Sequence, residues 1–198
     1  MRKSKIATWL ILLLIPLTIA FGNKLPGRSY YLTSTLILLE IMLPFFLAFE
    51  GRKPQARELV VIAVLCALAI AGRVVIPIPN FKATYAIIML SAVAFGPESG
   101  FLIGAMTALV SNFFFGQGPH TPWQMMAYGM GGFLAGLLFY GRERTNPRLD
   151  MVMKTAFGFF AVVLAVGPLL DACTVFTTGA TPTWKFALAV FTAGFPII

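Results

Sequence analysis

"SNFFFGQGPHTPWQMMAYGMGGFLAG", residues Ser111 to Gly136, lies between two apolar runs, and the fold turns on how it is read. Its centre, "GQGPHTPWQ", is too polar and too rich in Gly and Pro to continue a helix. It also holds the one histidine of the chain, His120. One helix must end near Phe115 and another begin near Thr121. Thr121 suits the N-cap, and Pro122 suits the first helical position. The stretch is either a connecting turn or the place where the chain meets a solute in water.

The surrounding composition narrows the choice. Of 198 residues, 59% are hydrophobic and only 11% are charged. Soluble domains carry about 25% charged residues. Half that amount, with long uncharged runs, puts the chain in a bilayer. The net charge of +8 does not indicate nucleic acid, because the basic residues form short clusters between apolar runs. Lipid headgroups and the positive-inside rule account for them.

A helix crossing the hydrocarbon core needs about 20 residues. Eight segments qualify as candidates: Ile6–Phe21, Tyr31–Phe49, Glu58–Ile76, Ala83–Phe95, Ser99–Phe115, Thr121–Tyr140, Lys154–Phe176 and Trp184–Ile198. The first resembles a signal peptide but lacks a small-x-small cleavage pattern, so it reads as a retained helix. The last ends without a flanking charge, which suggests a shortened C-terminus. With the N-terminus inside, ten Lys and Arg face inward and five, Lys24, Arg28, Arg73, Lys82 and Lys185, face outward or lie in the membrane. The loops "GQGPHTPWQ", "IPIPNFK" (Ile76–Lys82) and "TTGATPT" (Thr177–Thr183) then all lie outside. The linker "EGRKPQARE" (Glu50–Glu58) divides the chain into a two-helix extension, residues 1–57, and a six-helix core, residues 58–198.

Three constellations stand out. The first is a pair of small-residue stripes. Ala63, Ala67 and Ala71 recur every four residues, and Gly132 and Gly136 have the same spacing. Helices in lipid associate closely through such residues, so either stripe serves to dock a partner or to pack inside. The second is a set of ionisable groups at membrane depth: Glu40, Arg73 and Asp171. Arg73 either snorkels to the headgroups or shares a polar cavity or an ion pair with Asp171. The third is the outer loops. Gln117, His120, Trp123, Gln124 and Tyr128 mix aromatic surface with a few hydrogen-bonding groups, as small-molecule sites do. Asn80 and Asn112 join them as candidate substrate contacts. An interfacial aromatic belt is the competing reading of Trp123 and Tyr128.

Catalytic and metal motifs are missing from the sequence. There is no GxSxG, HExxH or phosphate-binding GxxxxGK[ST], and Gly116-Gln117-Gly118 lacks the context of a dinucleotide fingerprint. The two cysteines, Cys66 and Cys173, stand alone within apolar runs. An intramembrane hydrolase built on Ser111, His120 and Asp171, and an assembly subunit that binds no solute, are the rival classes.

The Ala-x-x-x-Ala helix, "NF" at Asn112-Phe113 and the "G-x-G-P-x-T-P-W-Q-M" turn from Gly116 to Met125 together resemble an energy-coupling factor (ECF) transporter S component. The resemblance covers about Glu58 to Ile198. It implies an all-α integral membrane protein of the bacterial cytoplasmic membrane that is not an enzyme and has no cofactor or metal of its own. It implies binding of a vitamin from outside. It also implies docking, through Ala63, Ala67 and Ala71, onto a transmembrane coupling protein (T component) driven by two cytoplasmic ATPase subunits. The two extra N-terminal helices are similar to those of longer cobalamin-specific members. Cobalamin or cobinamide is therefore the expected ligand, with its cobalt arriving as cargo. Queuosine precursors, folate and pantothenate are the alternatives.

Overall fold

A computed structural model describes residues 13–22, 32–33, 35–37, 39–40, 56–75, 83–142, 146–177 and 184–194. Every regular element among them is helical. Most of the two expected N-terminal segments, Asn80, and the loops at 76–82 and 178–183 lie outside the described residues. The helices are α1 (Ile15–Gly22), α2 (Ala56–Val75), α3 (Ala83–Phe95), α4 (Pro97–Phe115), α5 (His120–Phe139), α6 (Pro147–Ala161), α7 (Gly167–Thr177) and α8 (Trp184–Gly194).

Punctuation residues account for most of the boundaries. α3 and α4 are separated by Gly96 alone, whose φ of 98° favours glycine, and Pro97 opens α4. At 13 residues, α3 spans only about 20 Å of rise. α4 ends at Gly116, also at positive φ. The next helix begins at His120, with Pro119 rather than Thr121 at its cap. The expected Thr121 cap is corrected because that hydroxyl is used differently: it accepts from the Gly118 N–H at 3.3 Å and donates to Gln117 Oε1 at 2.8 Å.

α6 begins seven residues before the expected start at Lys154. Asn146 caps it, accepting from the backbone N–H groups of Arg148 and Leu149 at 3.1 and 3.4 Å, and Pro147 stands at the first position. Between α6 and α7 the helix widens into a π-helical turn, Val162–Val166, where the Gly167 N–H bonds to the Val162 carbonyl. Pro168 follows directly. Its ring would clash with the carbonyl four residues back in a regular helix, and the wider turn relieves that clash.

α4 and α5 form the centre of the bundle. Their approach runs along a seam of glycines: a Cβ on Gly104 would strike the Tyr128 carbonyl, and one on Gly132 would strike the Gly100 carbonyl. Gly136 closes the seam against Pro97, at 2.5 Å from its Cα to an added Cβ. The glycine stripe of α5 is therefore internal packing. Phe101, Phe133, Ile103, Met125 and Tyr128 fill the core around it.

The exterior is apolar where that of a soluble protein is polar, and a group of polar residues lies within the mainly apolar interior. Thr84, Ser91, Ser99, Thr107, Ser111, Asn112 and Thr121 are buried, whereas Phe113, Phe114, Phe159, Leu164 and Trp184 are exposed. Pro97–Phe115 and the 29-residue stretch Pro147–Val175 are each long and apolar enough to cross a membrane. Apolar side chains outside and satisfied polar ones inside are what lipid as a solvent selects.

Candidate functional site

Contacts along the bundle define its two ends. At one end, Phe139 of α5 meets Phe157 of α6 edge-on, with ring centroids 5.3 Å apart, and Tyr140 packs beside Gly96. At the other, the last turns of α2 and α4 meet the first turns of α5. Six of the sequence-derived site residues converge there: Arg73, Asn112, Gln117, Trp123, Gln124 and Tyr128.

Arg73 emerges from the last turn of α2. Its guanidinium donates to Ser111 Oγ and, at 3.2 Å, to Gln124 Oε1. Gln124 Oε1 also accepts from Asn112 Nδ2 at 2.8 Å, and Asn112 Nδ2 reaches Thr121 Oγ1 at 3.1 Å. Thr121 in turn donates to Gln117, whose Nε2 donates to the Leu109 carbonyl at 2.9 Å. A continuous hydrogen-bonded chain thus ties α2, α4, the 116–119 turn and α5 together. It lets polar groups persist among apolar helices at little cost, because nearly every donor finds an acceptor. Among the acceptors of this chain, Asn112 Oδ1 stands apart. Asn112 is fully buried, and this oxygen has no hydrogen-bond partner among the described residues.

Aromatic rings flank the chain. The Arg73 guanidinium carbon lies 5.2 Å from the centroids of both Phe115 and Tyr128. Tyr128 meets Tyr85 of α3 edge-on at 4.8 Å. Trp123 packs partly buried against the core, so it is not simply part of an exterior belt. His120 is half-buried, and its ring folds back against Gly118.

Asp171 is not drawn into this cluster. It makes no ion pair or hydrogen bond among the described residues, so the alternative in which Arg73 pairs with it does not form. Ser111 and Gln124 lie closer to the guanidinium and satisfy it without a carboxylate. Ser111 itself donates to the Thr107 and Ala108 carbonyls, so its neighbours are Arg73 and backbone rather than His120. Tyr85 and Phe115 were not singled out from the sequence. Neither carries a local signal, since an aromatic in an apolar helix looks the same whether it faces lipid or a site.

On α2 the two faces differ. Ile62 and Ala69 are buried and Arg73 points toward the cluster, while Ala63, Ala67 and Ala71 are exposed, flanked by exposed Val60, Val64 and Leu68. One helix therefore carries the guanidinium of the polar cluster on one face and an unpacked alanine stripe on the other.

Compared with protein families, the chain matches the model of the ECF-type riboflavin transporter S component over residues 53–197. The chain belongs to that family. It is therefore the substrate-binding, non-catalytic membrane subunit of an ECF transporter, and the S component's polar cluster lies wholly within the matched region. Neither curated proteins nor solved structures gave a match.

Proposed function

We propose that this S component captures riboflavin, the solute in the name of the matched family, at the end of the bundle where Arg73, Asn112 and Gln124 meet. The observation that carries the reading is Asn112 Oδ1, a buried acceptor left without a partner in an otherwise satisfied network. A flavin ring carries an imide N–H flanked by carbonyls. That N–H suits a lone side-chain acceptor, and the carbonyls suit the guanidinium and amide donors beside it. Tyr85, Phe115 and Tyr128 supply aromatic surface for a flat ring. Riboflavin thus stands ahead of cobalamin, whose bulk the two extra helices suggested.

In this reading the cluster faces outside. The exposed stripe of Ala63, Ala67 and Ala71 is the docking surface for a T component, driven in turn by two ATPase subunits. Residues 1–57 form an extension to the six-helix core. His120 flanks the entrance, Asn80 is kept as a candidate contact on its sequence alone, and Asp171 stands apart from the bound ring.

Calorimetry on the purified full chain, with riboflavin, cobalamin, folate and pantothenate as separate titrants, tests the substrate. Saturable binding of riboflavin that Asn112→Ala weakens by about fivefold or more is the expected result. Binding of cobalamin and not riboflavin overturns the flavin reading while leaving the family intact.

A further inference from the structure

We infer that Gln117 and Thr121 are positioning residues. They fix which way round the Asn112 side-chain amide stands, and so make the site select a solute that donates a hydrogen bond there. The inference rests on the flavin reading above, in which that donor is the imide N–H.

A primary amide has nearly the same shape either way round, and a half-turn about its last bond exchanges an acceptor for a donor. At Asn112 that half-turn is blocked from two sides by groups whose hydrogen-bonding sense cannot be reversed. On one side the Leu109 carbonyl can only accept. Gln117 Nε2 donates to it at 2.9 Å, which leaves Gln117 Oε1 as the end that meets Thr121. The Thr121 hydroxyl gives its proton to that oxygen at 2.8 Å, and it accepts from the Gly118 N–H, which can only donate, at 3.3 Å. What Thr121 Oγ1 still offers Asn112 is a lone pair, and Nδ2 takes it at 3.1 Å. On the other side Arg73 can only donate. It holds Gln124 Oε1 at 3.2 Å, so that oxygen also faces Asn112 as an acceptor, for Nδ2 at 2.8 Å.

The Asn112 amide therefore gives its N–H groups to Thr121 and Gln124, and Oδ1 is the end left over. Turning the amide round would press Oδ1 against Gln124 Oε1 and the Thr121 lone pairs. In a fully buried residue the loss of both hydrogen bonds is costly. Gln117 belongs to the 116–119 turn, yet both ends of its amide are engaged inside the chain. Its influence on the solute is indirect: it sets the hydroxyl of Thr121, which sets the amide of Asn112. Without Gln117, the Thr121 proton is free to turn to Asn112 Oδ1. The buried acceptor is then used up internally, and a donor on the solute loses its partner. Arg73 and Gln124 meet the solute in the reading above, whereas Gln117 and Thr121 act through Asn112, so their removal changes selectivity rather than general contact.

The test uses the full chain in detergent, with riboflavin and riboflavin methylated at the imide nitrogen as separate titrants. Quenching of flavin fluorescence, or calorimetry, is the readout. The wild-type protein should favour riboflavin by about fivefold or more, the least effect of leaving a buried acceptor unpaired. Gln117→Met should weaken riboflavin by about fivefold and leave the methylated flavin within about twofold, so that the preference shrinks toward parity. A merely structural role would weaken both flavins alike. Thr121→Val, which removes the hydroxyl at nearly constant shape, should repeat the loss, and Thr121→Ser should restore the preference. That pair carries the test where Gln117→Met does not fold. An unchanged preference in Gln117→Met and Thr121→Val, or an equal fall for both flavins, overturns the inference and keeps the flavin site. A wild-type protein that binds the two flavins equally overturns the inference together with the imide contact to Asn112. Binding of neither flavin overturns the flavin reading itself.

Discussion

Two stripes of small residues with the same four-residue spacing have opposite fates in this protein. Gly132 and Gly136 on α5 press against Gly100 and Pro97 on α4, so closely that no Cβ fits. Ala63, Ala67 and Ala71 on α2 face outward and touch no other described helix closely enough to be covered. Spacing alone says that a helix can approach something closely. It does not say whether that something belongs to the same chain. The glycine stripe holds the fold, and the alanine stripe stays uncovered among the described residues.

Four measurements would break or sharpen this contrast, beginning with the largest effect. Gly104→Leu should prevent normal folding, since its side chain has only the Tyr128 backbone to push against, a penalty of about 3 kcal/mol or more by the scale of overpacked cores. Yield and melting temperature in detergent report it, and a normally stable variant would show that the α4–α5 seam is looser than described. Ala67→Trp should fold and bind flavin within about twofold of wild type, as expected for an exposed site, yet lose uptake in cells that supply the coupling partners, because a bulky ring blocks close helix approach. A parallel fall in binding would make the alanine stripe part of the fold after all.

Asn112→Ala comes third. It removes the donor shared by Thr121 and Gln124 and the buried lone acceptor, so ligand affinity should drop by about 1–3 kcal/mol with helix content unchanged. Unaltered affinity in calorimetry would take the polar chain out of the site and make it a brace between α4 and α5. Lys154→Ala should have the smallest effect, about 0.5 kcal/mol or less in thermal unfolding. Its pairing with Asp150 is a partly exposed contact one helical turn long. A larger loss would mean that the start of α6 is held by that pair rather than by the Asn146 cap.

The helices themselves were largely legible. Ala83–Phe95 appears with the bounds that its apolar run predicts, and α4 and α5 stop and start at the Gly and Pro residues of the opening motif. The missed start of α6 has a plain cause. Residues 147–153 mix Arg and Asp with Leu and Met, so an apolar-run criterion skips them, whereas Asn146-Pro147 is a capping signal that could have been read. The π-turn was not legible, although Gly167-Pro168 marks where a regular helix cannot pass. Within the site, the loop and Arg73 were identifiable because polar residues are rare in this chain. Their connections were not, and Arg73 chose Ser111 and Gln124 over the charge-matched Asp171.

Composition and punctuation by themselves determined that this is an all-helical membrane chain, where most helices break, and which loop brings polar groups to one end. Those properties follow from local chemistry: apolar runs need lipid, and Gly and Pro set backbone angles wherever they occur. Only the tertiary structure decided which small-residue stripe was spent on packing, which face of α2 carries the guanidinium, and which acceptor in the network was left single. A helix that is apolar all round favours no side over another, so its orientation is set by the fit of whole neighbours at van der Waals distance.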